Sequence, residues 1–114
     1  MSVKIYHNPR CTKSRQALAM LEEKKEDIEV IEYLKDLPTK KELKQVLKQL
    51  NMSAEELLRK NEKIYKEEYK GKDLSEVEWI EAMIKHPKLI ERPIVIKDGK
   101  AVIARPTEKL LEVL

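Results

Sequence analysis

The chain has 114 residues, 41% of them hydrophobic and 39% charged, a length that holds one small α/β domain (residues 1–114) with a densely charged surface and no second domain. Its 24 Lys and Arg against 21 Asp and Glu leave only +3, too small an excess to argue for nucleic acid. No apolar run approaches the ~20 residues of a membrane span, and Cys11 is the only cysteine. The first residues, Met1-Ser2-Val3-Lys4, read as strand rather than as a signal peptide, so the expected setting is the cytoplasm, whose reducing conditions suit one free thiol.

Val3 to Tyr6 is a β-prone run closed by His7-Asn8-Pro9-Arg10, where Asn-Pro favours a turn. Ala17, Leu18 and Leu21, with Met20 beside them, predict a helix from about Ser14 to Lys25. Ile28, Val30, Ile31 and Tyr33 predict a second strand, and strand, helix and strand at this spacing form a βαβ unit with parallel strands. A helical insertion follows, over about residues 39–86. Thr39 to Glu42 is a capping box ahead of Leu43, Val46, Leu47 and Leu50, whose spacing is helical. The box recurs at Ser53 to Glu56 ahead of Leu57 and Leu58, and at Ser75 to Glu78 ahead of Ile80, Met83 and Ile84. Trp79 and Met83 lie one turn apart and read as core. Glu62 to Asp73 is polar apart from Ile64 and two tyrosines, and reads as a solvated, mobile surface segment or a lid. Ile94 to Ile96 and Ala101 to Ile103 flank Asp98-Gly99, the dipeptide of a type I′ hairpin. Leu110, Leu111 and Leu114 mark a last short helix. The order is β-α-β, helices, β-β-α, which predicts an α/β sandwich with two parallel strands extended by an antiparallel hairpin.

Cys11 falls where the first strand passes into the first helix, the usual ligand end of an open α/β sheet. A helix N-terminus offers unpaired N–H groups and a positive dipole end, both of which favour thiolate over thiol, and Arg10, Lys13 and Arg15 add charge nearby. A fall in pKa from ~8.5 to roughly 6.5 would raise the thiolate fraction at pH 7 from about 3% to about 75%. The alternative is a buried, inert cysteine, a common fate of free Cys. Counting excludes several chemistries. Ser14 stands where C-x-x-C needs its second cysteine, and Ala17 where a C-x5-R loop needs its arginine. With only His7 and His86 as candidate bases or co-ligands, a protease has little to draw on and a structural zinc site is disfavoured. A single nucleophilic thiolate remains, whose product must be resolved by a thiol from outside. His7 either tunes that thiol or bridges backbone groups of its loop, and His86 before Pro87 reads as a helix C-terminal cap.

Arginine occurs only at positions 10, 15, 59, 92 and 105; every other cation is lysine. Arg59 follows Leu57-Leu58, while Arg92 and Arg105 each precede a proline at the two open ends of the hairpin. Antiparallel pairing would set the last two side by side, which costs energy unless an anion lies between them. Glu91 or Glu108 could be that anion, or a tetrahedral oxyanion held by guanidinium forks beside the thiolate.

The segments His7-Asn8-Pro9-Arg10-Cys11-Thr12-Lys13-Ser14-Arg15, Leu57-Leu58-Arg59-Lys60-Asn61, His86-Pro87, Arg92-Pro93-Ile94-Val95 and Arg105-Pro106 together resemble the glutaredoxin-coupled arsenate reductases of the ArsC type. The resemblance covers essentially the whole chain and implies a thioredoxin-like fold with a mixed four-stranded sheet and a helical insertion. It further implies that Cys11 attacks arsenate, that His7 and Ser14 support the thiolate, and that Arg59, Arg92 and Arg105 bind the substrate oxygens. The implied co-substrate is glutathione, the implied partner glutaredoxin, with no bound cofactor or metal and a cis Arg92-Pro93 bond. Thr12 and Lys13 depart from the usual Gly-Thr pair, and Arg10 from a small residue, changes that bear on substrate fit. The same family shape includes Spx-type regulators that bind RNA polymerase. Those often carry C-x-x-C, so Ser14 counts against that alternative. A thiol oxidoreductase acting on another substrate is the remaining one.

Overall fold

The computed structural model describes residues 2–114 and divides into two compact units, one from the segment through Asp36 together with Arg92–Leu114, the other from Leu37–Glu91. Met1 lies outside the described residues.

The first unit is a mixed four-stranded sheet of order β2-β1-β3-β4. Strand β1 (Ser2–Tyr6) pairs in parallel with β2 (Asp27–Ile31) and antiparallel with β3 (Ile94–Lys97), which forms a hairpin with β4 (Lys100–Ile103). The expected βαβ unit and hairpin are both present, in the thioredoxin-like arrangement. Side chains alternate across the pleat, so Val3, Ile5 and Val95 share one face. There they meet Ala17 and Leu21 of helix α1 (Thr12–Glu23), Ala104, and Leu110 of a closing 3-10 turn (Thr107–Glu112), all fully buried. Tyr6, Ile94 and Ile96 are buried on the opposite face. The hairpin turn has φ +53° at Asp98 and +78° at Gly99, the left-handed pair a type I′ turn requires. Arg92-Pro93 is cis, as the resemblance implied, and so is Arg105-Pro106. Helix α1 begins two residues earlier than its apolar pattern, because Thr12 and Lys13 are exposed and leave no periodic signal.

The second unit is built on α2 (Lys40–Leu50) and α3 (Glu76–Lys85), and both expected capping boxes close around their first turns. Thr39 Oγ1 accepts from the Glu42 N–H at 3.1 Å while Glu42 Oε1 accepts from the Thr39 N–H at 2.9 Å. Thr39→Ala should therefore lower stability by about 1 kcal/mol in chemical denaturation. An unchanged midpoint would mean that the box contributes nothing. The left-handed Asn51 ends α2, returning its N–H to the Leu47 and Lys48 carbonyls.

Two expectations change here. The box at Ser53 and Glu56 does form, but it starts only a single 3-10 turn, Glu55–Leu57, because Leu58 swings extended and bridges antiparallel to Ile90. Residues 62–73 are also not an unanchored surface loop. Tyr65–Tyr69 form one π-helical turn whose two rings lie 6.4 and 6.0 Å from the ring of Trp79, which is buried as expected together with Met83. His86 is the C-cap of α3, and its ring meets the edge of Tyr69. No helix of the described residues is long and apolar enough to cross a membrane.

Candidate active site

The turn between β1 and α1 is built by Asn8. Its carbonyl accepts from the Cys11 N–H at 2.9 Å, its Oδ1 from the Arg10 N–H at 3.0 Å, and its own N–H donates to Ser14 Oγ at 3.0 Å. Sequence reasoning used Asn8 only as a turn former; the Asx side-chain bond two residues on was the signal for this larger role. The turn delivers Cys11 to the N-cap of α1 in extended conformation, where its sulfur faces the Lys13 and Ser14 N–H groups of the first turn.

Cys11 is only 9% exposed. Burial pushes its thiol pKa up, but the Ser14 N–H, the charge of Arg92, the Lys13 N–H and a hydrogen bond from the Arg92 side chain together bring it below the ordinary thiol value. Both readings of the cysteine thus hold in part: it is buried, and it is activated. The activating cation differs from expectation. The Arg15 guanidinium is turned back onto the Pro9 carbonyl and Thr12 Oγ1, at 2.9 and 3.2 Å, and Arg10 is exposed. Lys13 acts through its backbone N–H, and the charge comes from Arg92 on the hairpin.

His7 and Ser14 are both buried and meet at 2.6 Å between Nδ1 and Oγ. Burial lowers the His7 pKa, against the pull of Glu32 and with the help of Arg15. A neutral ring with Nδ1 as acceptor fits these facts, because Ser14 Oγ takes the Asn8 N–H and has its own proton to give. His7 thereby braces Ser14, whose backbone N–H serves the sulfur.

Arg92 carries two buried nitrogens, Nε and Nη1, with no hydrogen-bond partner. Buried guanidinium donors left unpaired cost several kcal/mol in the absence of an anion, which makes them the signature of a ligand group. Past the Ile94–Ile103 pair, the Ala104 N–H donates to the Pro93 carbonyl at 3.0 Å, and the chain then turns, the Arg105 N–H donating back to the Ile103 carbonyl at 2.8 Å. Arg105 is exposed. Neither protein carboxylate considered for Arg92 and Arg105 is used there. Glu91 is bound to Arg59, and Glu108 makes no ion pair among the described residues.

Arg59 belongs to the helical unit. The Leu58–Ile90 bridge is extended by the Arg59 N–H to the Leu89 carbonyl at 2.7 Å and the Glu91 N–H to the Leu57 carbonyl at 3.0 Å. Its guanidinium is held by Glu62 and Glu91, each at 3.3 Å.

Residues 6–113 match the ArsC family. A protein of Neisseria meningitidis (strain Z2491) named arsenate reductase is 42% identical over 98% of this chain and 97% of its own length. The Escherichia coli protein named Uncharacterized protein YfgD is 49% identical over 98% of this chain and 96% of its own. The solved structure of an arsenate reductase from Vibrio cholerae superposes with a TM-score of 0.96 at 46% identity, covering 100% of this chain and 98% of that one. With a thiol at the α1 N-cap, an arginine beside it whose donors are unsatisfied, and this breadth of likeness, the chain belongs to the ArsC family.

Proposed function

We propose that the protein is an oxidoreductase that reduces arsenate to arsenite through Cys11 as its single nucleophile, with glutathione and glutaredoxin as external thiols. The observation that carries this reading is the pairing of a depressed thiol with the two unpartnered donors of Arg92. The relatives named arsenate reductase supply the substrate.

The Cys11 thiolate attacks arsenic and displaces a hydroxyl group, which leaves as water on protonation. As the S–As bond forms, negative charge leaves sulfur and accumulates on the arsenate oxygens. Arg92 stabilises the charge at the start and follows it to the oxyanion, which is the transition-state selectivity catalysis needs. Arg105 shares the oxyanion, and the resemblance extends the same role to Arg59. Ser14 and His7 hold the N–H that steadies the sulfur. Glutathione then adds to the adduct with loss of a second water; a glutaredoxin thiolate attacks the glutathione sulfur, forming a glutaredoxin–glutathione mixed disulfide while the S–As electron pair stays on arsenic as As(III), and water releases arsenite and frees Cys11. One cysteine per chain is what makes both outside thiols necessary. A few charge-assisted hydrogen bonds at ~1.5–3 kcal/mol each, set against binding entropy, give affinities in the millimolar to micromolar range. Arsenite formation in the presence of arsenate, glutathione and glutaredoxin tests the reading. Turnover that stops when either thiol is left out supports it, and a rate no higher than the protein-free background removes it.

A further inference from the structure

The Arg59 guanidinium is already neutralised. Glu62 Oε1 lies 3.3 Å from Nη1 and Glu91 Oε1 lies 3.3 Å from Nε. The neighbouring cation, Lys60, is engaged by Glu55 at 3.5 Å and does not relieve the excess of carboxylate. The arrangement is built: a turn brings Glu62 back to Arg59, its N–H donating to the Arg59 carbonyl at 3.1 Å, and Glu91 is locked in place by the short antiparallel pairing of residues 57–59 with residues 89–91. The three side chains are 20%, 25% and 30% exposed, enough covered for the charges to act strongly on one another and open enough to admit a small ligand. Two carboxylates on one arginine are a poor design for attracting a bare anion and a good one for choosing among anions.

We propose that Glu62 and Glu91 make the Arg59 site selective for tetrahedral oxyanions that carry a proton, such as hydrogen arsenate and hydrogen phosphate, against the fully ionised sulfate. The inference rests on Arg59 taking part in oxyanion binding. An oxyanion with a hydroxyl group accepts from the guanidinium and donates its O–H to a carboxylate oxygen, so each added lone pair meets a donor. Sulfate at neutral pH has no proton to give, and each of its oxygens near Glu62 or Glu91 meets a lone pair and a like charge. A site built to hydrogen-bond a hydroxyl rejects an analogue that lacks it, and the carboxylates supply the repulsive part of that choice.

The test is an NMR titration of the protein with phosphate and with sulfate, followed at the Arg59 backbone amide, for the wild type, Glu62→Gln, Glu91→Gln and the double variant. Glutamine keeps the size and a hydrogen-bond acceptor for the guanidinium but removes the charge and can donate to an oxyanion. The wild type is expected to bind phosphate at least about 10-fold more tightly than sulfate, and the double variant to bring the two within about 3-fold, mainly by tighter sulfate binding. Equal wild-type affinities, or a preference that survives in the double variant, would overturn the selectivity while leaving Arg59 as an anion site. Failure of either anion to move the Arg59 amide would instead overturn the oxyanion role of Arg59 and the selectivity with it.

Discussion

Cys11→Ser is expected to abolish arsenate turnover, lowering kcat/KM by at least about 10³-fold. A serine hydroxyl is not ionised at neutral pH, so the Ser14 and Lys13 N–H groups and Arg92 would lose the thiolate they are placed to stabilise. An oxygen ester of arsenate also cannot be resolved by glutathione through thiol exchange. The substitution should leave the fold intact, since Cys11 occupies the N-cap of α1 and serine is itself a favoured N-cap residue. An intact fold with complete loss of turnover is thus the expected combination. A variant retaining a tenth of wild-type activity would show that the nucleophile lies elsewhere.

Arg92→Lys should be the next most damaging change, lowering kcat/KM by about 10–150-fold, the equivalent of one charge-assisted hydrogen bond at ~1.5–3 kcal/mol. Lysine keeps the positive charge beside Cys11 but cannot replace the planar fork that acts on the sulfur while Nε and Nη1 stay unpartnered. Both KM and kcat should suffer, KM through lost oxyanion contacts and kcat through a less stabilised transition state. The thiol pKa should rise as well, because the side-chain hydrogen bond to sulfur is weakened. Kinetics equal to the wild type would remove Arg92 from the site.

What could be read from the sequence follows from the range of the forces involved. The capping boxes at Thr39 and Ser75, the Asp98-Gly99 turn and the Asn8-Pro9 turn before Cys11 are short-range chemistry, and all four form where the residues indicate. The helix that the Ser53–Glu56 box predicts is cut short by a long-range contact, the Leu58–Ile90 bridge, which leaves no local trace. The tyrosines of the polar segment 62–73 are anchored by Trp79, again through space rather than along the chain. At the thiol, proximity in sequence pointed to Arg10, Lys13 and Arg15. The hairpin instead brings Arg92, from the far end of the chain, and Arg15 turns its charge back onto its own loop. Glu91 stands next to Arg92 in sequence, yet its partner is Arg59. The residue types of the site were therefore legible, whereas their pairing was a property of the fold.

The pH dependence of Cys11 alkylation tests most directly whether this buried cysteine is held as a thiolate. Since the thiol is depressed in the folded state, its ionisation stabilises the fold above the unfolded-chain pKa, and that contribution is lost as pH falls through the folded value. The rate of Cys11 modification by iodoacetamide, measured against pH on the native protein, should therefore rise with a midpoint below the ~8.5 of a free cysteine, and the midpoint should move upward in Arg92→Lys. A native midpoint at or above ~8.5, unmoved by that substitution, would contradict the account.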